Sequence, residues 1–171
     1  MDWDELKTLA EEFLEKGAEN LQRDDRLVPT YFMVTHRGVA VIPIEKGLDT
    51  PRDKRAAAMA IRKIAAKQAA MAVLLITEGH YSLHSSSDAA AGAAILPVEM
   101  PAGTPDTFAA LSVSLGLPDG RNNLLLGKVV RNAGGRAIGL EERAWTFSEP
   151  QRDLPVPVVL PWEPGAPRTL H

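Results

Sequence analysis

No cysteine occurs anywhere in the 171 residues. Disulfides and thiolate metal sites are therefore excluded, and the chain fits a reducing compartment. Aromatic residues are few, at 5%, which is poor material for stacking unpaired bases. The net charge of −3 supplies no field that would draw the chain to nucleic acid or to anionic lipid. No window approaches the ~20 apolar residues needed to cross a bilayer. The start, Met1-Asp2-Trp3-Asp4-Glu5, is acidic, whereas a secretory signal opens basic and then turns apolar. These absences point to a cytoplasmic chain with no membrane partner. Complete chemical motifs are missing as well. There is no glycine-rich phosphate cradle and no Gly-x-Ser-x-Gly elbow.

What the chain does have is apolar residues, 45% of the total. At this length one domain buries roughly two-thirds of its unfolded surface. Residues 2–22 read as an amphipathic helix. Leu6, Leu9, Ala10, Phe13, Leu14, Gly17 and Leu21 fall on one stripe, with Glu11, Glu12, Glu15 and Glu19 opposite. Asp2 and Glu5 stand at capping-box spacing. Leu27 to Thr35 and Val39 to Ile44 read as two strands joined at His36-Arg37-Gly38. Both arms are apolar at nearly every position, so the hairpin is expected to be covered in part on both faces.

Thr50-Pro51 announces a second helix, with Thr as cap and Pro at the first helical position. Ala57, Ala60, Ile61, Ile64, Gln68 and Met71 fall on one side of it, and six basic residues between Arg52 and Lys67 on the other. Val73 to Thr77 is a short apolar strand. Residues 79–107 hold Ser85-Ser86-Ser87, an Ala/Gly stretch and three prolines, and read as a long excursion with 94–100 a candidate return to the sheet. Phe108 to Leu117, Leu124 to Arg131 and Ala137 to Phe147 then form a meander across turns at Pro118-Asp119-Gly120 and Ala133 to Arg136.

The expected fold is α+β: a mainly antiparallel sheet with two helices on one face, in the order α-β-β-α-β-β-β-β. That order resembles the order in roadblock-, longin- and profilin-like small domains, a likeness of arrangement that implies no activity. Residues 1–149 make the single domain. Residues 150–171, with six prolines, make an extended, polyproline-like tail.

Three groups of residues are candidates for function. Glu78, His80 and His84, with His36 at a distance, carry carboxylate and imidazole suited to a metal. If that stretch is a strand, however, the two histidines stand too far apart for one ion. Arg52, Lys54 and Arg55 gather at the start of the second helix, where free N–H groups favour an anion. The whole basic helix 51–71 is the corresponding candidate for nucleic acid. In the tail, Val158, Leu160 and Trp162 are apolar residues in search of a pocket, on this chain or on a twin.

Charge is also divided between the helices. Asp2 to Glu19 carries two bases against seven acids, and Arg52 to Lys67 carries six bases against Asp53. The folding signals are complete and the catalytic set is not. The leading expectation is a non-enzymatic interaction or accessory domain that self-associates as a homodimer and needs no cofactor. The alternatives are a small-ligand or metal-dependent enzyme centred on Glu78, His80 and His84, and an anion or nucleic-acid binder using helix 51–71.

Overall fold

The computed structural model describes residues 2–44, 48, 50–85, 95–118 and 121–148. The tail from residue 149 on, with Val158, Leu160 and Trp162, lies outside the described residues.

Helix α1 (Trp3–Asp24) opens on the expected capping box: the Glu5 N–H donates to Asp2 and the Asp2 N–H to Glu5. Strands β1 (Thr30–Thr35) and β2 (Gly38–Pro43) form the hairpin. Helix α2 (Pro51–Lys67) is capped by Thr50, whose hydroxyl oxygen accepts from the Asp53 N–H at 3.1 Å. Five strands follow: β3 (Ala72–Ser85), β4 (Ile95–Met100), β5 (Phe108–Gly116), β6 (Asn122–Arg131) and β7 (Ala137–Ser148). All pair antiparallel in one seven-stranded sheet, ordered β2-β1-β3-β5-β6-β7, with β4 on β3. Strand β4 shares an edge of β3 with β1. Residues 72–76 of β3 meet β1, and residues 80–85 meet β4.

The class is the α+β one read from the sequence, with three differences of detail. First, the helices take opposite faces of the sheet. Side chains alternate across a strand, so Val34, Ala72, Leu74 and Ile76 meet Leu6, Ala10, Leu14, Ala18 and Leu21 of α1. Tyr31, Met33, Val73 and Leu75 meet Ala58, Ile61 and Ala65 of α2. The reason lies in β1 and β3 themselves. They are apolar at successive positions, so each face needs its own cover. Second, β4 adds a strand, giving α-β-β-α-β-β-β-β-β, and β3 runs on to Ser85 because β4 and β5 pair with it there. Third, α2 ends at Lys67 instead of continuing to residue 71. Its buried stripe is Ala58, Ile61 and Ala65, while Ile64 turns outward. Alanines at 58 and 65 flank Ile61 and let the helix lie close to the sheet.

Close approach also governs α1. A Cβ on Gly17 would overlap the Cδ1 methyl of Ile76 and touch Leu111. On the sheet below, a Cβ on Gly127 would stand 2.8 Å from Leu140 and 3.3 Å from Leu14. Phe13 stacks on Phe32 with ring centroids 3.9 Å apart. A third, smaller cluster joins Tyr81, Ala110, Leu124 and Leu126 on the α2 side of the sheet.

Two substitutions test this packing. Gly17→Ala gains about 1 kcal/mol of helix propensity but overpacks a filled core, at about 1–3 kcal/mol. The expected net loss is about 1 kcal/mol by denaturant unfolding. Ile76→Val removes the obstructing methyl, so Gly17→Ala should be milder in that background, with a coupling of about 0.5–1 kcal/mol.

A further substitution tests the end of α2. The Ala70 N–H bonds the Ala65 carbonyl and the Ala69 N–H the Ala66 carbonyl, a Schellman motif. Ala69 sits at φ 48°. Left-handed backbone costs a non-glycine residue about 1–2 kcal/mol, while glycine loses about 0.4–1 kcal/mol more entropy on folding. Ala69→Gly should therefore stabilise by about 0.5–1 kcal/mol, seen as a rise in Tm of about 1–4 °C.

Candidate functional site: the β2 edge

The residues singled out from sequence do not converge. Glu78, His80 and His84 all lie on β3, with Glu78 and His80 on the face that carries Ile76. Four residues of strand separate the two histidine positions by about 13 Å. The Glu78 carboxylate is held by Arg131, whose Nη1 also meets Asp25 Oδ1 at 3.1 Å and donates to the Gly135 carbonyl at 2.8 Å. Among the described residues no three His, Asp or Glu side chains gather as they would around a metal ion. His36 is exposed at the β1–β2 turn.

At the start of α2, Lys54 Nζ pairs with Glu99 Oε1 of β4 at 2.7 Å. The Thr50 hydroxyl donates to Asp53 Oδ2 at 2.6 Å. The helix entry thus holds two carboxylates among its cations. Arg52 and Arg55 are exposed.

Beneath that entry lies a buried polar knot. The Tyr81 hydroxyl donates to Ser112 Oγ at 2.9 Å, and Thr77 Oγ1 stands 2.9 Å from the same oxygen. Burial, reinforced by the Glu99 charge, pushes the Tyr81 phenol up to about 12, against a downward pull from Ser112 and Thr77. The phenol therefore keeps its proton at neutral pH and serves as a donor within the sheet.

The acidic flank of α1 is not met by α2, which lies on the other side of the sheet. It is met by the C-terminal strands: Glu15 pairs with Arg143, and Glu11 accepts from Trp145 Nε1 at 3.0 Å. Trp3 meets Trp145 edge-on, and Lys7 lies 5.9 Å from the Trp145 ring centroid. The Arg136 guanidinium donates to the Gln22 and Arg23 carbonyls at the end of α1, which lack helical partners there.

One feature of the surface has no such cover. Strand β2 is an outer strand of the sheet and carries no charged residue: Gly38-Val39-Ala40-Val41-Ile42-Pro43. Val39 and Val41 are 41% and 60% exposed on the α1 face, since α1 packs farther in. The hairpin is thus covered on both faces along β1, in line with the partial cover expected of it, while β2 is left open on the α1 face.

The backbone of β2 is directed as well. The Ile44 N–H bonds the Pro29 carbonyl at 2.7 Å. Hydrogen-bonded pairs alternate along an antiparallel ladder, so Gly38, Ala40 and Ile42 turn their N–H and C=O groups to β1. Val39, Val41 and Pro43 turn theirs away from the sheet. On the α2 face, a depression of about 280 Å³ lies against Met33, Ala40, Ile42, Ile64 and Gln68, with Arg37 at its side.

The other outer strands are protected. In β7, Glu142 at φ 49° forms a bulge where Leu126 pairs Ala144 but Lys128 pairs Glu141. The bulge turns both glutamates to Lys128 Nζ, at 2.9 and 3.7 Å, where a regular strand would have set them on opposite faces. Strand β4 contains Pro97 and Glu99. Bulges, prolines and charges are the usual guards of a sheet edge, and β2 has a proline only at its last position. The signal was in the sequence as the uncharged run 38–44, but reading it required knowing that β2 is outermost.

Compared with known proteins, the chain matches no family model, no curated protein and no solved structure.

The Asp25 carboxylate offers a test of how α1 is pinned to the β6–β7 hairpin. The Ala137 N–H, donating to it at 3.1 Å, and the Arg131 guanidinium hold it below its ordinary 3.8. A carboxylate lowered on folding adds stability that is present above pH 3.8 and is lost as pH falls through its folded value. Asp25→Asn should therefore unfold more readily than the native chain at pH 7. The gap should close below about pH 3.8 in parallel denaturant titrations.

Proposed function

We propose that this chain is a non-enzymatic interaction domain that self-associates, and that the β2 edge is where it does so. The observation that carries the reading is the uncharged outer strand, with Val39 and Val41 exposed side by side and backbone donors and acceptors directed outward. An unguarded edge of this kind adds strands. A sheet held in place by two helices presents it rigidly, so little ordering is needed on binding. The cysteine-free composition supports a cytoplasmic setting. Among the described residues no helix is long and apolar enough to cross a membrane. The proline-rich tail, residues 150–171, is a second candidate interaction segment, on sequence grounds alone.

Light scattering after size exclusion, over about a hundredfold range of concentration, tests self-association. A mass of twice 18.5 kDa is expected, giving way to monomer on dilution. Val41→Lys places a charge on the open edge without disturbing a buried contact. It should weaken the dimer by tenfold or more while leaving Tm within about 1–2 °C of the native value, since exposed substitutions rarely shift stability by more than about 0.5 kcal/mol.

A further inference from the structure

We infer that the partner of β2 is β2 of a second copy, paired antiparallel about a two-fold axis through Ala40. This rests on the self-association proposed above and specifies its register.

The argument is an inventory of hydrogen-bonding groups. The residues of β2 that face outward are Val39, Val41 and Pro43, the alternates of those bonded to β1. Val39 and Val41 each offer one donor and one acceptor, and Pro43 offers an acceptor alone. In a symmetric pair with Val39 opposite Val41 of the second copy, every outward group of both valines is used. There are two bonds in each Val39–Val41 pair, and two such pairs.

Moving the axis to Val41 would set Val39 against Pro43 of the second copy, and Pro43 has no N–H to give. Moving it to Val39 would set Val41 against Arg37, which lies in the turn and whose N–H already donates to Thr35 Oγ1 at 3.2 Å. Only the axis at Ala40 satisfies both valines within the strand.

Side chains agree with this register. Val39 and Val41 share one face, so each meets the other valine of the second copy and both lose their exposure. On the opposite face Ala40 meets Ala40 as a non-hydrogen-bonded pair, where Cα atoms come within about 4.5 Å. Alanine is small enough for that approach. The depressions beside Ala40 then join across the axis, with Ile64, 42% exposed, on each side. The sheet becomes continuous, seven strands from each copy.

The chain has no cysteine, so single-cysteine variants read the axis without background. Ala40→Cys, Val39→Cys and Val41→Cys are each oxidised mildly as full-length protein. The Ala40→Cys chain should link to a disulfide dimer several-fold faster than the other two, its Cα separation lying within disulfide range. Faster linking at 39 or 41 would move the axis and overturn the register.

Hydrogen exchange on the native protein gives a check that needs no substitution. Amide protection at Val39 and Val41 should rise with protein concentration. Protection at Ala40 and Ile42, bonded to β1 in monomer and dimer alike, should stay constant. A dimer showing no concentration-dependent protection at 39 and 41, and no linking at any of the three positions, would overturn β2 pairing while leaving self-association in place. A chain that remains monomeric throughout would overturn both.

Discussion

Gly17 sets the position of everything else. Helix α1 lies close over β3 and β5 because no side chain stands between its backbone and Ile76 and Leu111. Its apolar stripe from Leu6 to Leu21 then fills the space above β3, β5 and β6. A helix covers only a few neighbouring strands, each spaced about 4.8 Å apart. Placed there, α1 reaches across to Trp145 and Arg143 of β7 and has nothing left to lay over β2. The bare outer strand is thus a consequence of where the first helix docks.

The same placement explains the division of labour between the charges. Glu15 is answered by Arg143 and Asp25, at the end of the helix, by Arg131, while Arg136 donates to the Gln22 and Arg23 carbonyls of the last turn. Arg131 does the most connecting, since it joins Glu78 of β3, Asp25 at the end of α1 and the Gly135 carbonyl of the last hairpin turn. Exposed pairs of this kind each contribute only about 0–1 kcal/mol, so their role is to fix the angle of α1 on a core that burial has already built. The basic residues of α2 stand on the other side of the sheet, where Lys54 and Glu99 tie the helix entry to β4. What looked in sequence like a matched pair of helices is two separate interfaces.

Local structure was legible because local chemistry decides it. The capping box at Asp2 and Glu5, the Thr50-Pro51 helix entry, the His36-Arg37 turn and the three C-terminal strands all follow from residues a few positions apart. Three things were not legible, each for want of a distant partner. Residues 79–85 read as loop because Gly79 and the serines that follow break the apolar run, yet pairing with β4 and β5 makes them strand. The face chosen by α2 depends on β1 and β3 being apolar on both sides, which fixes that cover is needed but not which helix supplies it. The stripe of α2 turned because Ala58 and Ala65, small and unremarkable in sequence, are what allow close packing. As for the candidate site, the histidines and helix-entry cations were visible as residue types, while the edge was visible only once the order of strands was known.

Closure is the last step. A sheet that can add strands at both ends grows without limit, and this one offers three outer strands. Strand β7 is bulged at Glu142 and charged, and β4 carries Pro97 and Glu99; neither presents an open ladder. Of the three, β2 alone is an uncharged, unbulged outer strand, and it is short. Its outward groups begin after a tight turn at residues 36–37 and end at Pro43, which supplies no donor. A strand so brief gives little purchase to an arbitrary partner, whereas the proposed two-fold pair would use every outward group of both its valines. In the proposed pair the two β2 edges would cover each other, leaving the guarded β7 and β4 as outer strands. The bulge and charges of β7 and the proline and charge of β4 would then oppose the addition of a third copy.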